Sequence, residues 1–345
     1  MTRISAEARH AVPPILAVRG LKAYYQAKAF GVTREVRAVD DVTFQVNRTE
    51  IYGLAGESSS GKTTLIKTVA RAIKPPLSVV AGAVEFAFRD GLRDIYRLDA
   101  AALSAIRWSH LSYIMQGSMS VLNPVRRVRH AFADFAGRHL GLPPKTFRTA
   151  VEQHLARLHL EPRVLDAYPH ELSGGMRQRV SIALATVCRP EFIIADEPTT
   201  ALDVVVQKGV LSTLRKVQQE LGASILFVTH DMAVHANLTD RLGIMYAGRL
   251  VEEGRTRDVF RRPLHPYTAH LIASLPQLDD DTPKQGLRGS PPNLADPPLG
   301  CRFHPRCPLA NDVCRSDHPP MEELAPGHRV ACHVASAAAR TGGAA

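Results

Sequence analysis

The sequence predicts an α/β fold built on a parallel sheet, with a helical insertion and a small cysteine-containing C-terminal domain. Three observations carry this. The apolar run Ile51 to Ala55 ends at a glycine-rich loop, and from Lys62 to Ile73 apolar and polar residues alternate at helical spacing. Two more apolar runs, Phe192 to Ala195 and Ser224 to Val228, each end in a polar or charged group, as buried parallel strands do where their carboxyl ends open onto a site. Four of the five cysteines, Cys301, Cys307, Cys314 and Cys332, fall in the last fifth of the chain, while Cys188 stands apart.

A chain of 345 residues exceeds what one core comfortably organises, so a main domain with a smaller appendage is expected. With 45% apolar and 22% charged residues, the composition excludes a disordered or a membrane-embedded protein. The first twenty residues lack an apolar stretch of signal-peptide length and no run of 18 apolar residues occurs, which predicts a cytosolic protein. A formal net charge of +10 suits nucleotide phosphates, acidic lipid headgroups or nucleic acid, and does not choose among them.

In chain order, strand, phosphate loop and helix come first. Residues 100–190 read as a mostly helical subdomain, with strong helix formers at Ala100 to Ile106 and Ala150 to His159. Gly243 to Gly254 reads as a hairpin turning at Ala247-Gly248. Leu278 to Gly300, with three consecutive aspartates and two Pro-Pro pairs, reads as a linker to the cysteine-bearing tail. The expected domains are residues 1–255 and 256–345.

The loop Gly56-Glu57-Ser58-Ser59-Ser60-Gly61-Lys62-Thr63 matches G-x-x-x-x-G-K-[ST] between a strand and a helix, which identifies a P-loop NTPase. Its glycines let backbone N–H groups turn toward phosphates at a helix N-terminus. Lys62 is expected to reach the β- and γ-phosphates of ATP, Thr63 to ligate Mg²⁺ and Thr64 to touch the α-phosphate. The strand ending at Asp196-Glu197 delivers two adjacent carboxylates, the first suited to Mg²⁺ and the second to activating water. Ser59 stands where such loops favour glycine. If that position needs a positive φ, serine costs roughly 1 kcal/mol.

About twenty residues before Asp196 lies Leu172-Ser173-Gly174-Gly175-Met176-Arg177-Gln178-Arg179. With this signature the chain resembles the ABC ATPase family, which implies an ABC-type nucleotide-binding domain that hydrolyses ATP. The resemblance implies that Ser173, Gly174, Gly175 and Gln178 serve the nucleotide, and that Gln116 is the Q-loop glutamine sensing Mg²⁺ and attacking water. It also implies a D-loop at Ala201-Leu202-Asp203, a switch histidine at His230 and an adenine-stacking aromatic at Tyr25, with Tyr24 the less favoured choice. Glu197, His230, Lys62 and Gln116 are the expected catalytic groups. Gly117 departs from the family, where an acidic residue is usual.

Arg262-Pro263-Leu264-His265-Pro266-Tyr267-Thr268, Leu122-Asn123-Pro124 and Gly300 to Pro308 look like the oligopeptide/dipeptide/nickel importer ATPases. That resemblance implies import of peptides, nickel, opines or oligosaccharides. The implied partners are two integral-membrane permease subunits, a second and often different ABC ATPase, and indirectly an extracytoplasmic solute-binding protein, with no nucleic acid. The place implied is the cytoplasmic face of the inner membrane. The cysteine spacing is close to the subfamily's, some of whose members hold a [4Fe-4S] cluster; zinc is the alternative, and His304 and His333 are spare ligands. A soluble ABC ATPase of DNA repair or translation is the competing class, although this chain has neither long coiled coils nor a second cassette.

Overall fold

The computed structural model of the protein describes residues 13–29, 32–115, 117, 121–200, 202–275, 286–287 and 289–342. Strands β1 (Leu16–Ala29) and β2 (Val32–Val46) precede β3 (Ile51–Ala55) and helix α1 (Lys62–Val69). Next come β4 (Leu77–Phe88), β5 (Gly91–Asp94), α2 (Ala100–Ile106), β6 (Leu111–Ile114), α3 (Val128–Leu140), α4 (Pro144–Arg157) and α5 (Gly174–Thr186). The second half holds β7 (Phe192–Asp196), α6 (Val204–Leu221), β8 (Ser224–Val228), α7 (Met232–Leu238), β9 (Arg241–Tyr246), β10 (Arg249–Arg255), α8 (Thr256–Arg261) and α9 (Pro266–Ala273). The tail adds α10 (Asp312–Ser316), β11 (Glu322–Ala325), β12 (His328–Val330) and α11 (His333–Gly342).

The main sheet runs β11-β12-β10-β9-β3-β8-β7-β6, and β9, β3, β8, β7 and β6 are mutually parallel. Its central strands β3, β8 and β7 are buried at every residue, which is why each is a continuous apolar run. Alternate residues serve opposite faces. Ile51, Ile193, Ile225 and Phe227 pack with the helical region, whereas Tyr52, Leu54, Ile194 and Leu226 pack with Leu65 and Ile66 of α1 and with the second sheet. That second sheet, antiparallel in the order β2-β1-β4-β5, lies outside the expected parallel architecture.

Helix α1 stops at Val69, four residues short of the expected Ile73. Arg71 adopts a left-handed φ of 48°, and Pro75-Pro76 follow, which cannot continue a helix. Helix α4 begins earlier than expected, with Pro144 in its first turn, where the missing N–H costs nothing. The β9–β10 hairpin turns through Ala247 (φ 47°) and Gly248 (φ 84°), the paired positive φ values of a type I′ turn.

Beyond α8 the chain packs back onto the main sheet. Strand β12 pairs with β10 at Glu252↔Val330, so the tail widens the main sheet. Phe303 joins Tyr246 and Tyr267 in a third apolar cluster, and Arg302 donates to Asp40 on β2 and to the Ala247 carbonyl in the hairpin turn.

Candidate functional site: a phosphate loop facing a carboxylate pair

Strand β3 ends at Ala55 and hands the chain to Gly56–Thr63, which bends back around the start of α1. Gly61 caps that helix with φ 101°, a Cβ there would lie 2.1 Å from the Ala38 carbonyl oxygen, and no side chain caps the first turn. The first N–H groups of α1 therefore face the cleft with their donors and partial positive charge available to an anion. Ser59 sits at φ 65°, the conformation for which glycine is the usual choice.

Lys62 is 7% exposed, and its ammonium donates to the Gly56 carbonyl at 2.7 Å, the Glu57 carbonyl at 2.8 Å and Ser60 Oγ at 3.3 Å. Burial lowers its pKa to about 8, against the opposing pull of the Glu197, Asp196 and Glu57 charges.

Strand β7 delivers the two carboxylates. Asp196 is 1% exposed and accepts from Tyr113 Oη at 2.9 Å through Oδ2, while its buried Oδ1 has no hydrogen-bond partner among the described residues. Burial raises its pKa. An unpartnered buried carboxylate oxygen has the chemistry that suits a hard divalent cation such as Mg²⁺. Glu197 leaves the strand with φ 45°, its N–H donating to the Val228 carbonyl at 2.8 Å. This left-handed turn of a non-glycine residue swings its side chain out of the sheet. Its Oε1 lies 3.2 Å from His230 Nδ1, and its Oε2 accepts from Thr200 Oγ1 at 2.9 Å.

Ser58 to Thr64, Tyr25, Glu197 and His230 line one cleft of about 380 Å³. Tyr25 lies at its edge with Oη 3.3 Å from Thr64 Oγ1, whereas Tyr24 is buried and donates to Asp40. Gly56 and Glu57 do not line the cleft, and the Glu57 carboxylate points to Arg306 instead. Gln116 and Ala201 lie outside the described residues. The signature is not brought to this cleft either. Ser173 Oγ accepts from Met176 N at 3.3 Å to cap α5, Gly175 approaches so close to Val206 that a Cβ would be 2.7 Å from its Cγ1, and Gln178 is buried. Asp203 Oδ1 accepts from Val206 N at 2.9 Å, capping α6. Tyr267 and Arg306, neither of them among the expected site residues, also reach the loop, from stretches that carry the subfamily resemblance.

In the tail, burial pushes the Cys301 thiol up to about 11 and raises those of Cys307 and Cys332, with neighbouring thiols adding to each rise. The Cys301 N–H donates to the Cys314 carbonyl at 2.9 Å. Among the described residues no group of three or more His, Cys, Asp or Glu side chains is arranged to hold a metal ion. His304 Nδ1 and His333 Nε2 lie against the Cys301 and Asp317 carbonyls. Cys188 packs against the helical-region core, and burial pushes its thiol up to about 11.

A phosphate loop, a strand-end glutamate and a histidine in one cleft, with a buried aspartate next to that glutamate on a parallel sheet, define a P-loop nucleotide hydrolase. The ABC transporter family model matches residues 39–200, and that of the oligopeptide/dipeptide transporter C-terminal region matches 251–314. A relative from Brucella ovis bearing the name peptide import ATP-binding protein is 39% identical over 323 residues, covering 92% of this chain and 97% of that one. Another from the same organism and similarly named is 38% identical over 330 residues, covering 92% and 96%. Among solved structures, a dimeric bacterial ABC transporter cassette is similar with a TM-score of 0.59 and 25% identity, over 70% of this chain and 99% of that one. A dimeric post-hydrolysis ATP-binding cassette bound to ADP and Pi gives a TM-score of 0.58 at 24% identity with the same coverage. The chain belongs to the ABC transporter ATPases, in the group that carries the oligopeptide/dipeptide transporter C-terminal region.

Proposed function

We propose that this chain hydrolyses ATP to drive an importer of peptides or related solutes, with nickel, opines and oligosaccharides as further cargo classes. The observation that carries the chemistry is Glu197, aimed into the phosphate-loop cleft and held between His230 Nδ1 at 3.2 Å and Thr200 Oγ1 at 2.9 Å. The cargo class rests on the peptide-import names of the relatives and on the matched C-terminal region. Those names weigh against DNA repair or translation.

In this reading Tyr25 stacks on adenine and the loop N–H groups take the phosphates. Lys62 releases the Gly56 and Glu57 carbonyls and moves onto the β- and γ-phosphates. Glu197 orients water for in-line attack on the γ-phosphate, while Lys62 and His230 offset the charge that develops. Thr63 and Asp196, with Gln116, are the residues that would hold Mg²⁺, which supplies positive charge at the phosphate oxygens when bound.

The signature residues Ser173, Gly174, Gly175 and Gln178 are assigned to the nucleotide of a second ABC ATPase, with Asp203 of the D-loop nearby. Supporting this, none of them lines the chain's own cleft, and Val204 and Val205 beside Asp203 are 80% and 82% exposed. We place the protein on the cytoplasmic face of the membrane, against two permease subunits fed by an extracytoplasmic solute-binding protein. No helix among the described residues is long and apolar enough to cross a membrane. We assign the permease contact to a larger, mostly apolar cleft of about 690 Å³, bordered by Trp108, Met115, Val121 and Phe135, with Asp196 also in its lining. The basic surface is assigned to nucleotide and membrane, not to nucleic acid. Copurification from native membranes tests the reading: two multi-spanning permeases should accompany the chain, and their absence rejects it.

For the tail, Cys301, Cys307, Cys314 and Cys332 are proposed to hold a [4Fe-4S] cluster. The cysteine spacing, close to the subfamily's, supports the donor set, and Cys307, Cys314 and Cys332 all act on the charge of Cys301. Anaerobically purified protein should then be brown and contain iron and sulfide, whereas a colourless protein with stoichiometric zinc overturns the assignment.

A further inference from the structure

We propose that Arg306 is a positioning residue for the phosphate loop, through which the cysteine-bearing tail sets the affinity for ATP. The inference rests on the ATP-site reading above and adds a control point to it.

Residue 57 of the loop is held from the tail side at three atoms. The Arg306 guanidinium grips its carboxylate with both arms, Nη1 to Oε2 at 2.8 Å and Nη2 to Oε1 at 3.1 Å. Its backbone N–H donates to Tyr267 Oη at 2.7 Å. Neither partner is free to wander. The Arg306 side chain is 6% exposed and donates to Tyr246 Oη at 3.3 Å, Tyr267 is fully buried, and the Tyr246 and Tyr267 rings lie 4.6 Å apart with Phe303 against both. A bidentate pair in such surroundings fixes orientation as well as distance.

On its other side, residue 57 meets the lysine: its carbonyl accepts from Lys62 Nζ at 2.8 Å, and its charge acts on the Lys62 ammonium. One residue thus links Arg306 and Tyr267 to the cation expected to meet the phosphates. Removing Arg306 leaves a carboxylate unpaired beside the place where ATP brings further negative charge, and frees the loop's entry to shift.

Arg306 belongs to a single turn between two cysteines. His304 N donates to the Cys301 carbonyl at 2.9 Å, Arg306 N to the Phe303 carbonyl at 3.0 Å and Cys307 N to the His304 carbonyl at 3.3 Å, while Cys301 N is tied to the Cys314 carbonyl at 2.9 Å. A change in the spacing of Cys301, Cys307 and Cys314 is therefore carried to the guanidinium through four backbone hydrogen bonds.

The test is titration of the purified full-length chain with a fluorescent ATP analogue, alongside steady-state ATPase kinetics of the assembled importer. For residues in one network, Arg306→Ala should weaken analogue binding roughly tenfold and raise KM similarly, with kcat at saturating ATP little changed. Arg306→Lys should recover part of the loss, and adding Glu57→Gln to Arg306→Ala should recover more, because the unpaired charge is gone. Cys307→Ser should weaken binding in the same direction and add little on top of Arg306→Ala. Arg340→Ala, which breaks an exposed pair with Glu322 in the same tail, should change nothing. Unaltered binding in Arg306→Ala, or full additivity of Cys307→Ser with it, overturns the proposal. If Arg306→Ala does not fold, Arg306→Lys and Glu57→Gln decide, since wild-type affinity in both overturns it equally.

Discussion

Two helices of this protein begin at glycine-rich turns, and their surroundings differ in an instructive way. Helix α1 starts at Gly61 with no side-chain cap, inside a cleft that also contains Glu197 and His230 from the same chain. Helix α5 starts at Ser173, whose hydroxyl caps its own Met176 N–H, on an exposed part of the surface away from that cleft. Both ends carry the partial positive charge that suits a phosphate. Only the first meets a carboxylate and a histidine of the same chain. The difference supports the proposal that the two motifs serve separate sites, the first for the chain's own nucleotide and the second for that of a neighbouring ATPase.

The largest expected effect tests the first half. Glu197→Gln should leave the affinity for ATP within about twofold of wild type. Turnover of the assembled importer should fall by roughly 10²–10⁴, the usual contribution of a positioned base. Calorimetric titration and phosphate release check the two parts, and near-normal hydrolysis removes Glu197 from its role.

Next in size is the pH dependence of that half. Burial holds Lys62 near a pKa of about 8, below the ordinary lysine value, and bound phosphates favour the charged form. Below pH 8 the lysine is already charged and affinity is at its full value. Above it, binding must take up a proton, so affinity should fall by up to about tenfold per pH unit. Titrations at pH 7, 8 and 9 read this directly, and a flat profile to pH 9 contradicts the buried, easily neutralised lysine.

The smallest effect concerns the loop's own strain. Ser59 holds a φ of 65°, so Ser59→Gly should stabilise the empty protein by about 1 kcal/mol, or roughly 2–4 °C in Tm. Thermal melts decide it, and an unchanged or lowered Tm shows that the serine side chain compensates.

How legible each half was follows from the physics of its elements. Strands β3, β7 and β8 are buried on both faces, so they stand in the sequence as short apolar runs with polar ends, and phosphate binding confines its residues to one contiguous loop. The antiparallel sheet bearing Tyr25 was not legible as strands. Register shifts between Val18 and Leu21, Leu21 and Ala23, and Ala23 and Tyr25 interrupt the period-two alternation that marks a half-buried strand. The end of α1 was overrun because apolar spacing continues past Val69 while Arg71 turns left-handed. The grip of Arg306 on Glu57 joins residues 249 positions apart, which no local pattern encodes. The signature was legible as a motif, yet its surroundings only became meaningful once the fold placed it away from the chain's own cleft.

The most direct test of the two-half account is Ser173→Arg, which puts a bulky cation where a neighbour's γ-phosphate is expected and leaves the phosphate loop untouched. The account predicts unchanged ATP affinity in the isolated chain and importer turnover lowered by roughly a hundredfold or more, as when one positioned donor is lost. Weakened binding in the isolated chain, or undiminished turnover in the importer, would contradict it.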